Sequence, residues 1–300
     1  MHDVPRGRES YGIDALLPVE VARKAETIGA DKTRLNFLSL MVLAILGGAF
    51  IGLGAMFATT ALAGAEDMLP FGLSRLIAGV VFSLGLILVI VGGAELFTGN
   101  MLMVMALAAR KITMGQMLRA WSIVYLGNFS GALGTALLVL LSGQYLAGDG
   151  SVARVALSLA NSKVALPFDQ ALFLGVLCDV LVCLAVWLSI GARSSGDKVF
   201  VILFPVSAFV AAGFEHSVAN MYLIPLGLFI KTWAPDALWI ELAMQPGDLA
   251  QLTWFGFIWN LFPVTIGNMI GGGLLVGAVY WFAYLRTGGG NSAAASTPKN

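Results

Sequence analysis

The chain has 300 residues and no formal net charge at pH 7, with 58% hydrophobic and only 11% charged residues. Its mean hydropathy is +0.87, whereas soluble domains carry about a quarter charged residues. That balance excludes an ordinary soluble domain and offers no electrostatic basis for binding nucleic acid. The chain reads as a polytopic membrane protein.

Residues 1–34 form a polar segment. Within it Leu17, Val21, Ala25 and Ile28 mark one apolar face of a helix, with Pro18 in its first turn and Gly29 at its end. Such a helix is expected to lie on the cytoplasmic membrane surface, within reach of a neighbouring subunit. No apolar core resembling a signal peptide precedes Leu35, so no cleavage is expected.

Apolar segments then run at about 36–62, 71–109, 115–146, 171–190, 200–230 and 253–285. A straight span needs about 20 residues. The second and fifth segments are far longer and each has a polar cluster partway, so six spans with two interrupted helices are predicted over 35–286. Six spans put both ends on one side. Basic residues concentrate there, from Arg6 to Lys299, while Arg75, Arg154, Lys163 and Lys231 fall on the other. Both termini are therefore predicted to be cytoplasmic. Residues 287–300, rich in Gly, Ser and Ala, are expected to be a disordered tail. Cys178 and Cys183 share the fourth segment and read as reduced packing residues.

His216 is the one histidine within the apolar segments; the other, His2, lies in the N-terminal tail. An ionisable group at that depth faces a partner or a water-filled path, or is tied into helix packing. The two halves also echo each other. Glu95-Leu96-Phe97-Thr98-Gly99-Asn100 and Glu215-His216-Ser217-Val218-Ala219-Asn220 both place glutamate and asparagine five apart. Gly127-Asn128-Phe129-Ser130-Gly131 is matched by Gly267-Asn268-Met269-Ile270-Gly271. Three spans per half invert the second copy, giving repeats of about 35–147 and 168–286 with a site near the midplane at the broken helices.

At these residues the chain resembles the formate/nitrite transporter family. Ile90-Val91-Gly92-Gly93-Ala94-Glu95-Leu96-Phe97-Thr98-Gly99 resembles its first signature, and Gly213-Phe214-Glu215-His216-Ser217-Val218-Ala219-Asn220-Met221 its histidine segment, closest to the formate-channel branch. The likeness runs from about Leu17 to Arg286. It implies an all-α, aquaporin-like six-helix protomer in a homopentamer, with one pore per subunit and His216 at its centre. It further implies constriction residues at Phe82, Leu86, Leu96 and Phe209, Thr98 near His216, and Asn268 on the cytoplasmic side of the pore. Lys163, Glu215 and Asn220 match a polar network behind the histidine. A stretch resembling the second signature carries Asp179 where the family has asparagine. Asp179 is expected to approach the network, with Lys163 as its counter-charge.

Without the resemblance, Phe82, Leu86, Leu96 and Phe209 read as core, Thr98 as a residue satisfying a helix break, and Lys163 as a loop charge. With it, the expected function is a channel moving formate across a bacterial inner membrane, passively or with a proton. Nitrite and hydrosulfide suit the same pore. A water or polyol channel shares the architecture, but paired Asn-Pro-Ala motifs do not occur. An embedded enzyme using Glu95, Glu215 and His216 lacks a metal cluster, a nucleophile motif and a cofactor fingerprint. No catalytic residue, metal or cofactor is expected. The expected partners are the anion, protons, lipid and further copies of the chain.

Overall fold

The computed structural model describes residues 15–65 and 68–286. Both tails, including His2 and the expected disordered segment 287–300, lie outside the described residues. The described chain is helical throughout: α1 (Pro18–Lys32), α2 (Phe37–Leu62), α3 (Phe71–Gly92), a 3-10 turn (Gly99–Met103) leading into α4 (Val104–Ala108), and α5 (Met114–Leu141). Then follow α6 (Ser151–Val164), α7 (Phe168–Gly191), α8 (Ser195–Ala211), α9 (Ser217–Trp233), α10 (Asp236–Leu242) and α11 (Trp254–Asn268). α11 runs on through a π-helical stretch (Met269–Ala278) into α12 (Val279–Tyr284).

Helix starts follow the polar residues between apolar runs. Asn36 accepts from Ser39 N at the start of α2, and Thr253 accepts from Gly256 N before α11. Thr113 with Gln116 and Ser194 with Asp197 form capping boxes on α5 and α8. By length and composition five helical runs are able to cross a membrane: α2, α3, α5, α7 and the run Pro246–Tyr284, which holds α11 and α12. The count reaches six if α9 and α10, bent by 111°, are taken as one. The expected fifth span appears as two arms, α8 and α9, of 17 residues each.

One order of elements occurs twice. α2 packs on α3 and α5, as α7 packs on α8 and α11. α1 and α6 lead the two halves, and α3 against α8 joins them. α6 falls between the apolar segments and was not anticipated; its buried stripe is Val152, Ala153, Ala156, Leu157, Ala160 and Val164. α1 ends at Lys32, beyond Gly29, and does not simply lie on a surface. Val21, Ala22, Ala25 and Gly29 are buried against the turn at 99–103, α4 and α7, and buried Glu26 pairs with Lys111 at 2.7 Å.

The helix pairs approach until backbone touches backbone. A Cβ on Gly131 of α5 would collide with the Ile45 carbonyl oxygen and come within 2.8 Å of Ala49 N. Across the pseudo-repeat, a Cβ on Gly267 would come within 2.9 Å of Val176 N. Overpacking of this kind costs about 1–3 kcal/mol. Gly131→Val is expected to lower thermal stability by that amount, whereas Gly134→Val, which meets nothing within 4 Å, leaves it unchanged. Equal melting temperatures for the two variants in detergent would show that the close approach carries no such constraint.

Candidate functional site

Each broken helix ends on a glycine in the left-handed region, Gly93 (φ +79) after α3 and Gly213 (φ +75) after α8. Only glycine adopts that conformation without strain, and it stops the helix. The chain then crosses an apolar interior as non-helical backbone, whose polar groups need partners.

Two asparagines from the helices behind supply them. Asn128 of α5 accepts from Phe97 N at 2.8 Å and donates to the Ala44 and Glu95 carbonyls. Asn268 of α11 accepts from Ser217 N at 2.9 Å and donates to the Gly175 and Glu215 carbonyls. Both are wholly buried. Asn268 lines neither of the cavities described below; its side chain holds the second loop from behind.

The carboxylates beside these loops are paired in the same way. Glu215 accepts from Lys163 at 2.7 Å and from Asn220 at 2.6 Å. Glu95 accepts from Lys32 at 2.8 Å and from Asn100 at 2.9 Å. Asn260 extends the first set, accepting from Asn220 and donating to the Lys163 carbonyl. Lys32, Asn128 and Asn260 were not anticipated as site residues. The echoing Glu and Asn pairs marked the loops, but the lysines come from α1 and α6, which carry no such signature.

Between the loops, Thr98 Oγ1 and His216 Nε2 meet at 3.0 Å. His216 also caps α9, its Nδ1 accepting from Ala219 N–H at 3.1 Å. A nitrogen that accepts carries no hydrogen, so the neutral ring holds its proton on Nε2 and donates to Thr98. The Phe209 ring stacks on the imidazole with centroids 5.9 Å apart, and Phe82 meets Phe209 edge-on at 5.7 Å.

A cavity of about 260 Å³ opens on His216, Phe82 and Phe209, with Arg75, Lys163 and Glu215 on its polar wall. Arg75 donates to the Val210 carbonyl at 2.7 Å, a cation set at the C-terminal end of α8. A second cavity, of about 270 Å³, is lined by Lys24, Lys32, Glu95, Asn100 and Lys198. Leu86, Leu96 and Thr98 are buried and line neither cavity.

Asp179 stands apart from the group to which the sequence assigned it. It hydrogen-bonds none of Lys163, Glu215 and Asn220; its contact is Cys183 Sγ, 3.8 Å from Oδ2. The physical reason is that the Lys163 ammonium already sits on Glu215, while Asp179 projects from α7 towards Cys183 and the backbone of Gly272.

Residues 19–282 match the family model described as formate/nitrite transporter. The chain is 47% identical over 274 residues to the formate channel FocA of Escherichia coli (strain K12), covering 91% of this chain and 96% of that one. It is 41% identical over 268 residues to the formate channel FocA of Haemophilus influenzae, covering 88% and 93%. A solved structure of a pentameric formate channel with formate bound matches with a TM-score of 0.79 at 41% identity, covering 83% of this chain and 98% of that one. The chain belongs to the formate/nitrite transporter family.

Proposed function

We propose that this protein conducts formate across a bacterial inner membrane, with both termini cytoplasmic, through a pore that passes alongside Thr98 and His216. The observation that carries the proposal is the 3.0 Å contact of these two side chains, set beside a cavity with cations on one wall and phenylalanine rings on another. Similarity to proteins described as formate channels selects the substrate among small monovalent acids.

Free carboxyl groups titrate near about 3.5 to 4, so formate approaches as the anion. Arg75 and Lys163 attract it, and the positive N-terminal end of α9 adds to the field. The rings of Phe82 and Phe209 then make the anion costly and the neutral acid cheap. His216 is the ionisable group beside them, able to take and give a proton. An imidazolium places a hydrogen on Nδ1, where Ala219 N–H already points. A proton taken up there breaks the cap, so it is passed to the substrate and not kept. Leu86 and Leu96 complete the constriction, Asn268 and Asn220 hold the loop and its carboxylate, and Lys163 with Glu215 sets the charge at the entrance.

His216→Asn retains a hydrogen-bonding side chain and removes the titratable proton. Acid-driven formate uptake into sealed vesicles is expected to fall at least roughly tenfold, with leakage of the anion persisting. Uptake at the wild-type rate would make the histidine structural. In the same vesicles formate is expected to outcompete nitrite and hydrosulfide, and the opposite order would move the assignment to another branch.

The assembly is proposed to be a homopentamer with one pore per chain, from the likeness to a pentameric channel. Many large apolar residues, among them Leu138, Leu141, Phe204 and Phe255, are exposed on the single chain and suit lipid or neighbouring copies. Native mass measurement in mild detergent is expected to give five chains; monomer or dimer alone would contradict it.

A further inference from the structure

The loop bearing Thr98 is gripped on its far side by two groups that the mechanism above does not use. Asp179 and Cys183 are four residues apart on α7 and so share a face. Both are wholly buried. Cys183 Sγ lies 3.4 Å from the Thr98 carbonyl oxygen and 3.8 Å from Asp179 Oδ2. The π-helical stretch closes the other side: a Cβ on Gly272 would collide with Asp179 Oδ2 and come within 2.6 Å of Cys183 Sγ. Asp179 Oδ1 finds no hydrogen-bond partner among the described residues.

Among the described residues, no lysine or arginine pairs with this carboxyl. Residues 99–103 and 254–278, which pack against it, carry no titratable side chain. On α1, Lys24 reaches the Ile190 carbonyl and Glu26 pairs with Lys111. On α8, Asp197 and Lys198 lie in the first turn. On α7 itself the other titratable groups are Asp169 and Cys178. Across the loops, Lys163 is paired with Glu215.

A thiol has one hydrogen and faces two oxygens here. Were Asp179 a carboxylate, both oxygens would be acceptors, and the charged one would draw the hydrogen away from the Thr98 carbonyl. As the neutral acid, Asp179 donates its O–H to Cys183 Sγ, and Cys183 donates its S–H to Thr98. Both contacts are then satisfied in one direction, and no unpaired charge is buried.

We infer that Asp179 and Cys183 form an uncharged hydrogen-bond relay that positions the Thr98 loop, and through it the hydroxyl that meets His216. They are positioning residues and touch no substrate. The inference rests on the reading of Thr98 and His216 as pore groups, and it gives Asp179 the role of a hydrogen-bond donor that an amide is able to replace.

Infrared difference spectra and formate flux on the full-length protein in vesicles test it together. At neutral pH the wild type is expected to show the C=O stretch of a protonated carboxyl that is missing from Asp179→Asn. A carboxylate signal in its place overturns the relay. Cys183→Ala, which removes one hydrogen bond to the loop, is expected to reduce flux by roughly tenfold, with Cys183→Ser restoring it. Asp179→Asn is expected to leave flux and its pH profile superimposable on wild type. Wild-type flux in Cys183→Ala, or a displaced pH midpoint in Asp179→Asn, overturns the proposal. If Cys183→Ala does not fold, the carboxyl band and the Asp179→Asn profile still decide. The infrared signals do not depend on what permeates, so a wild type that moves no formate contradicts the functional reading separately from the relay.

Discussion

A helix broken inside an apolar layer must find partners for the backbone groups it frees, and this requirement organises the molecule. An unsatisfied amide or carbonyl in hydrocarbon costs several kcal/mol. Asn128 and Asn268 meet that need, each accepting one hydrogen bond from the loop segment, donating one to a loop carbonyl and donating a second to a carbonyl of α2 or α7. Their reach is short, so the helices that carry them must lie close to α2 and α7. The small residues at those crossings, Gly131 and Gly267 among them, are what permit it. Packing, loop geometry and site position are one constraint seen at three scales.

The same scaffold is used twice with different contents. In each half a lysine from a leading helix, a glutamate in the loop and an asparagine five residues on form a compact ionic cluster. The residue after each glutamate differs: Leu96 in the first copy, His216 in the second. One loop thus offers an apolar side chain and the other an imidazole that meets Thr98. In each cluster the lysine pairs with the buried carboxylate and the asparagine donates a hydrogen bond to it. A symmetric frame yields an asymmetric site, in which Thr98 of the first copy, matched by Val218 in the second, meets His216, matched by Leu96 in the first.

How much of this was legible in the sequence varied with the kind of interaction. Long apolar runs and their polar interruptions located α2, α3, α5, α7 and α8–α9, because burial in lipid is written directly in composition. The repeated Glu and Asn spacing located both loops. α6 escaped notice because residues 151–164 are less apolar than a span, yet it delivers Lys163. Lys32 and Asn260 escaped because their meaning lies in partners far along the chain. Asp179 was assigned to the wrong neighbours for a related reason. Its departure from the family pattern was visible, but which face of α7 it occupies, and that Lys163 was already engaged, are facts of packing. The lysine went to the nearer carboxylate, leaving Asp179 to a thiol and a glycine backbone.

The central claim is that the two loops act as one unit through Thr98 and His216. A double-mutant cycle on formate flux tests it most directly, using Thr98→Val, His216→Asn and the combination in sealed vesicles. If the two side chains work through their mutual contact, the second substitution adds little once the first is made, with a coupling of about 0.5–3 kcal/mol. Strictly additive losses would contradict the account, since each residue would then act on the permeating species alone.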